Sequence, residues 1–230
     1  TPTHSTGRRQ RQMCIRDSIQ KEKLGHYVHK YGYSTTDSKF YKITMTSADP
    51  FVEIQVEKSS IKTQLIGSYN FTNCCAAIIM GKYFNVPLPL IKKGLEHYLS
   101  DNNRSQVLEK NGFKIILDAY NANPSSMTVA LENFSKLKAN AKLLFLGDMF
   151  ELGDTAHAEH QAIAELTKQL GFENAYLIGE NFFNVKSNYK KFKTFVALAT
   201  HLKEHNIPNE ATLFIKGSRG MALERILEYL

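Results

Sequence analysis

The stretch DAYNANPSSM, Asp118 to Met127, decides how the chain is read. An apolar run, Phe113 to Leu117, leads into it. Met127, Leu131, Phe134 and Leu137 then recur at spacings of three and four, a helical period. Asn123 can cap that helix, and Pro124 fits its first turn, where a missing N–H costs nothing. The segment therefore predicts a strand, a tight polar turn and a helix. Asp118, Asn121 and Asn123 would stand at the carboxyl end of the strand, the edge at which open α/β sheets bind ligands. Two readings stay open on the residues alone: a ligand-binding turn, or an ordinary βα turn rich in Asn because Asn suits turns.

Beyond that turn, strand and helix patterns alternate four or five times. This predicts a parallel, doubly wound, Rossmann-like α/β sheet. Lys142 to Leu146 reads as a strand ending in GDMFELGD (Gly147 to Asp154), followed by a helix with Ile163, Leu166 and Leu170 inward. Asn174 to Ile178 is the next strand, and Lys193 to Leu198 a weaker one that leads into a helix through His205. Ala211 to Ile215 runs into KGSRG and a closing helix, Met221 to Leu230. Three strand ends carry polar groups: Asp118–Asn123, Gly147–Glu151 and Lys216–Arg219. A parallel order would bring them to one edge. Asp148 and Glu151 are either an acid pair or solvated and capping carboxylates. Lys216, Ser218 and Arg219 beside a glycine suit a carboxylate or phosphate, or form a cationic turn closed by an Arg salt bridge. His157 and His160 read as surface or capping residues, because no third metal ligand accompanies them.

Toward the amino end, residues 67–87 read as a turn and a small-residue helix. Asn70 is a candidate cap, and Asn73 falls three residues on. Two amides there could donate to and accept from an adenine edge, or could belong to a capped core helix. A second helix, Leu88 to Leu99, would bury Leu90, Ile91, Leu95 and Leu99. The polar break Asp101 to Gln106 is the candidate domain boundary. Residues 19–66 read as β-rich: Phe51 to Glu57 alternates apolar and polar, with further strands over Phe40–Met45 and Ile61–Ile66. Residues 1–18, polar and Arg-rich, read as a non-native or disordered tail whose removal should leave the melting temperature unchanged.

With 230 residues, 43% of them hydrophobic, the chain can build one large or two small domains. The net charge is +7, but Arg8, Arg9, Arg11 and Arg16 face a single acid, Asp17, in the first eighteen residues. No basic stripe interleaved with aromatics appears, which argues against nucleic acid as a partner. Three cysteines, Cys14, Cys74 and Cys75, have neither metal nor disulfide spacing, which favours a reducing compartment. No apolar run is long enough to span a membrane. Gly81-Lys82 lacks the context of a phosphate loop.

D-x-Y-N-A-N-P-x-S-M resembles a signature of the Mur ligases, ATP-dependent enzymes that add amino acids to the peptidoglycan precursor. G-x-Y-N-x-x-N-x-x-A-A resembles their adenine-side motif, with Tyr69 where histidine is usual, and K-G-S-R resembles their closing motif. G-D-M-x-E-L-G is similar to the loop of the branch that takes D-alanyl-D-alanine. The resemblance implies that residues 19–103 are the truncated end of a central ATP-binding domain and 104–230 a carboxyl-terminal domain. It implies ATP contacts by Asn70, Asn73, Arg104 and Asp118, the last on the ribose hydroxyls. Tyr120, Asn121, Asn123, Asp148, Glu151, Lys216, Ser218 and Arg219 would face substrate, with two acids near its ammonium. The implied reaction joins D-alanyl-D-alanine to a UDP-N-acetylmuramoyl-tripeptide through an acyl phosphate, in the cytoplasm, by a monomer. ATP would act with Mg2+, whose ligands, like the phosphate loop, are expected upstream. No residue of this chain is assigned as catalytic or as a metal ligand, and the chain alone is expected to be inactive. The alternatives are another Mur or folylpolyglutamate-type amide ligase, and a non-catalytic Rossmann-like binding module.

Overall fold

The computed structural model describes residues 32–36, 40–208 and 210–230. The tail expected over residues 1–18 lies outside them.

Two sheets organise the described chain. The first has the order β1 (Tyr33–Ser34), β2 (Tyr41–Ser47), β3 (Phe51–Val56), β4 (Ser59–Ile66), parallel between β1 and β2 and antiparallel thereafter. The alternation in β3 sends Val52, Ile54 and Val56 inward. There they meet Phe71, Cys74 and Ile78 of α1 (Asn70–Tyr83) and Ile91 of α2 (Leu88–His97). The inward stripe of α2 is Leu88, Ile91 and Leu95, at the helical spacing i, i+3, i+7. Leu90 lies off that stripe and Leu99 lies past the helix end. Both are exposed, contrary to expectation.

The second sheet begins with β5 (Gln106–Lys110) and β6 (Phe113–Asp118), an antiparallel hairpin. Its turn, Asn111-Gly112, takes positive φ at both residues (49° and 84°), the form that two-residue hairpins prefer. The doubly wound part follows: α3 (Pro124–Lys136), β7 (Ala141–Gly147), α4 (Ala156–Gln169), β8 (Ala175–Ile178), α5 (Glu180–Phe183), β9 (Lys190–Phe192), α6 (Phe195–Glu204) and β10 (Ala211–Lys216). The sheet order is β5-β6-β10-β7-β8-β9, with every neighbour parallel except β5 with β6. All six residues of β10 are buried, as expected for a central strand covered on both faces. One face packs Met127, Leu131 and Phe134 of α3 with Ile163 of α4. The other packs Leu198 and Leu202 of α6 with Leu223 and Ile226 of the closing segment.

Two element boundaries differ from expectation. The strand expected over Lys193–Leu198 lies earlier, at Lys190–Phe192, and Phe195 to Leu198 are already helical, because the Thr194 hydroxyl accepts a hydrogen bond from the Ala197 N–H and starts α6 there. The closing segment is two 3-10 stretches, Arg219–Met221 and Leu223–Tyr229, rather than an α-helix. Left-handed Ala222 (φ 46°) separates them.

The register of the central strands positions the site. Lys216 of β10 stands opposite Asp118 of β6 and Leu146 of β7. The carboxyl ends of the three strands therefore finish level with one another.

Candidate functional site

At the end of β6, Asp118 is half-buried and accepts on both oxygens. Oδ1 takes the Ser105 N–H at 3.0 Å, and Oδ2 takes Lys216 Nζ at 2.5 Å. The Lys216 ammonium is buried and also donates to the Asn121 carbonyl at 3.2 Å. This ion pair ties β6 to β10 at the binding edge. Asp118 lines the cavity, and each of its oxygens can accept one hydrogen bond more. The helix start predicted at α3 is present as a reciprocal box: Asn123 Oδ1 accepts from Ser126 N (2.8 Å), and Ser126 Oγ accepts from Asn123 N (3.1 Å).

The linker before β5 supplies the next wall. Tyr120 N donates to the Asn103 carbonyl at 3.1 Å, and the Arg104 guanidinium lies 3.8 Å from the centre of the Tyr120 ring. From the first sheet unit, the α1 start completes the enclosure. Asn70 is the first helical residue, not the cap expected of it. Its amide turns back and donates to the Ile66 carbonyl at 2.8 Å, while its Oδ1 accepts from Asn73 Nδ2 at 3.0 Å. The two amides are thus paired. Together with Arg104, Asp118, Tyr120, Asn121, Asn123 and Lys216 they line one cavity of about 910 Å³. That volume suits a ligand of nucleotide size. Burial, and next the Asp118 charge, push the Tyr69 phenol on the cavity wall up to about 12. Burial likewise pushes the Cys74 thiol up to about 11.

The other two strand ends form an adjoining rim. Ser218 N donates to the Asp148 carbonyl at 3.1 Å, and Phe150 N donates to Ser218 Oγ at 2.9 Å, so the loops after β7 and β10 are bound together. A Cβ on Gly217 would stand 3.1 Å from Gly147 Cα, so the loop after β10 needs glycine to approach the end of β7 this closely. The Asp148 side chain, however, faces inward. It is buried and accepts from Asn181 N (2.9 Å), Asn181 Nδ2 (3.1 Å) and Phe182 N (2.9 Å), holding the start of α5. The expected pair of acids near a substrate ammonium is therefore reduced to Glu151, which is exposed. Arg219 is exposed and paired with Glu224 at 3.1 Å, the salt-bridged form of the cationic turn.

His157 is exposed as expected, but His160 is fully buried. Its Nε2 accepts the Met149 N–H at 2.9 Å and its Nδ1 contacts the Ala156 carbonyl at 2.6 Å. Held at both ring nitrogens, His160 pins the loop after β7 from beneath. The signal was present: His160, Ile163, Ala164 and Thr167 fall on one buried helical stripe. Ser105, which holds Asp118 Oδ1, is a further site residue that no local sequence pattern marks.

Comparison with known proteins settles the lineage. The profile described as "Mur ligase, glutamate ligase domain" matches residues 103–219. The chain belongs to the Mur ligase family. This Mur ligase chain is 32% identical over 173 residues to the UDP-N-acetylmuramoyl-tripeptide–D-alanyl-D-alanine ligase of Buchnera aphidicola (subspecies Baizongia pistaciae), an alignment covering 72% of the chain and 37% of the relative. It is 28% identical over 211 residues to the ligase of that name from Bacillus subtilis, covering 87% and 46%. The chain thus spans less than half the length of these relatives. Among solved structures, MurF from Acinetobacter baumannii superposes with a TM-score of 0.76 at 23% identity, covering 93% of this chain and 50% of that one. A folylpolyglutamate synthase from Thermotoga maritima reaches 0.54 at 15% identity, covering 82% and 46%. Both show the fold alone.

Proposed function

We propose that this Mur ligase chain is the nucleoside- and dipeptide-facing part of an ATP-dependent ligase that joins D-alanyl-D-alanine to UDP-N-acetylmuramoyl-tripeptide. The observation that carries the reading is the single cavity enclosing Asn70, Asn73, Arg104 and Asp118, drawn from both sheet units. In this reading residues 19–103 end a central ATP-binding domain and residues 104–230 form the carboxyl-terminal domain. The paired amides of Asn70 and Asn73 meet the adenine edge. Arg104, stacked on Tyr120, meets phosphate, and Asp118 accepts from the ribose hydroxyls. On the adjoining rim, exposed Glu151 takes the dipeptide ammonium, and Arg219, whose pairing with Glu224 uses Nη1, turns its remaining donors to the carboxylate. Ser218 holds the two loops at their spacing, while Asp148 and His160 support the rim from below. In the proposed reaction the terminal carboxyl of the tripeptide is activated by phosphoryl transfer, the dipeptide amine displaces phosphate, and ADP leaves. This chain contributes positioning rather than a proton-transfer group. Mg2+ would be held by parts of the ligase other than the residues described. Among the described residues no helix is long and apolar enough to cross a membrane. In this reading the ligase works in the cytoplasm.

The test is acceptor choice by the ligase that carries this chain. With ATP and UDP-N-acetylmuramoyl-tripeptide, phosphate release should depend on D-alanyl-D-alanine. Release driven instead by glutamate or diaminopimelate would assign the chain to another amide ligase, and the absence of acceptor-dependent release with all three would remove the ligase reading.

A further inference from the structure

One side chain joins the two sheet units at the cavity without an assigned role: Tyr69. Its ring packs on Gly67, where an added Cβ would stand 2.5 Å from it and φ is +89°. Its hydroxyl hydrogen-bonds the Ser105 hydroxyl across the gap between the units. Ser105 in turn donates its N–H to Asp118 Oδ1 at 3.0 Å, and Lys216 occupies Asp118 Oδ2. Ser105 is buried and left-handed (φ 48°), two residues after left-handed Asn103 (φ 57°). Non-glycine residues hold such a conformation only when their surroundings impose it. The Ser105 side chain and N–H have the partners named here, Tyr69 and Asp118, and these are the ties that fix it.

We infer that Tyr69 is a positioning residue: by holding Ser105, it fixes the Asp118 carboxylate in the orientation that accepts the ribose hydroxyls of a bound nucleoside. The inference rests on the nucleoside reading of the cavity. Burial and the Asp118 charge keep the phenol protonated and able to donate, consistent with this arrangement. Tyr69 itself touches no reacting atom. Its effect on binding should appear only where ribose hydroxyls are read.

The experiment titrates adenosine and 2′,3′-dideoxyadenosine into the 230-residue chain, followed by protein NMR, for wild type, Tyr69→Phe, Ser105→Ala and the double variant. Wild type should favour adenosine. Tyr69→Phe should weaken adenosine about fivefold, the size of one lost hydrogen bond, and leave dideoxyadenosine unchanged. Ser105→Ala should do the same, and the double variant no more, because both act through one chain of contacts. The Ser105 amide proton should also exchange faster in Tyr69→Phe than in wild type, a readout that needs no ligand. Equal losses for both nucleosides, or unchanged discrimination and unchanged exchange, would overturn the inference alone. A wild-type chain that binds adenosine no better than dideoxyadenosine would overturn the nucleoside reading and the inference with it.

Discussion

Removal of the Asp148 carboxylate separates a structural role from a ligand-binding one. The side chain is 2% exposed as a residue and receives three N–H groups at 2.9 to 3.1 Å, two of them from the backbone at the start of α5. Hydrogen bonds to a charged acceptor contribute roughly 1.5–3 kcal/mol each, but three removed together do not add in full. Asp148→Ala should therefore cost about 3–4 kcal/mol, with the donors of Asn181 and Phe182 left without their partner. Asp148→Asn keeps one acceptor oxygen and turns a donor toward one of the N–H groups, for a cost of about 2 kcal/mol. For a chain of this size, about 2–4 °C of melting temperature accompanies each kcal/mol, so Asp148→Ala should lower the transition by roughly 6–16 °C. Scanning calorimetry of the 230-residue chain measures it. A melt within a degree or two of wild type, together with lost dipeptide binding, would show that the carboxylate faces the ligand and refute the capping argument.

Further outcomes follow from other contacts. Asn123→Ala removes the acceptor for Ser126 N and should destabilise α3 by about 1 kcal/mol in urea unfolding. Gly217→Ala sets a Cβ 2.9 Å from Leu223 Cδ1 and 3.1 Å from Gly147 Cα. Because backbone cannot yield as a side chain does, the cost should be about 1–3 kcal/mol in the same assay. The Cys74 thiol titrates higher in the folded protein than in the unfolded chain. Its contribution is therefore whole below about pH 9 and lost as pH rises through about 11. Cys74→Ala should flatten that alkaline limb of the stability curve, and an unchanged limb would place the titration elsewhere. Iodoacetamide at pH 8 should leave Cys74 unmodified until the chain is denatured.

What could be read in advance was local. The period of two in β3, the period of 3.6 in α3 and the Asn123 cap depend on neighbours within one turn or one strand. All three are present. The convergence of the three strand ends was also legible, because parallel topology leaves them no other edge. The hairpin signal at Asn111-Gly112 was there to be used and would have supplied β5. The inward turn of Asp148 was not legible, since its partners arrive with α5, more than thirty residues later. Ser105 acquires its place from a left-handed backbone that no residue type announces. Leu90 shows the converse: apolar character alone does not place a residue inward when its helix already has another stripe against the sheet.

The central claim is that the two sheet units close one nucleoside cavity beside the rim of paired loops. A crystal structure of the chain grown with ADP and D-alanyl-D-alanine tests it most directly. The account predicts adenine against Asn70 and Asn73 and ribose on Asp118, with the dipeptide between Glu151 and Arg219. Nucleotide bound at any other face, with the cavity between α1 and β6 left empty, would contradict it.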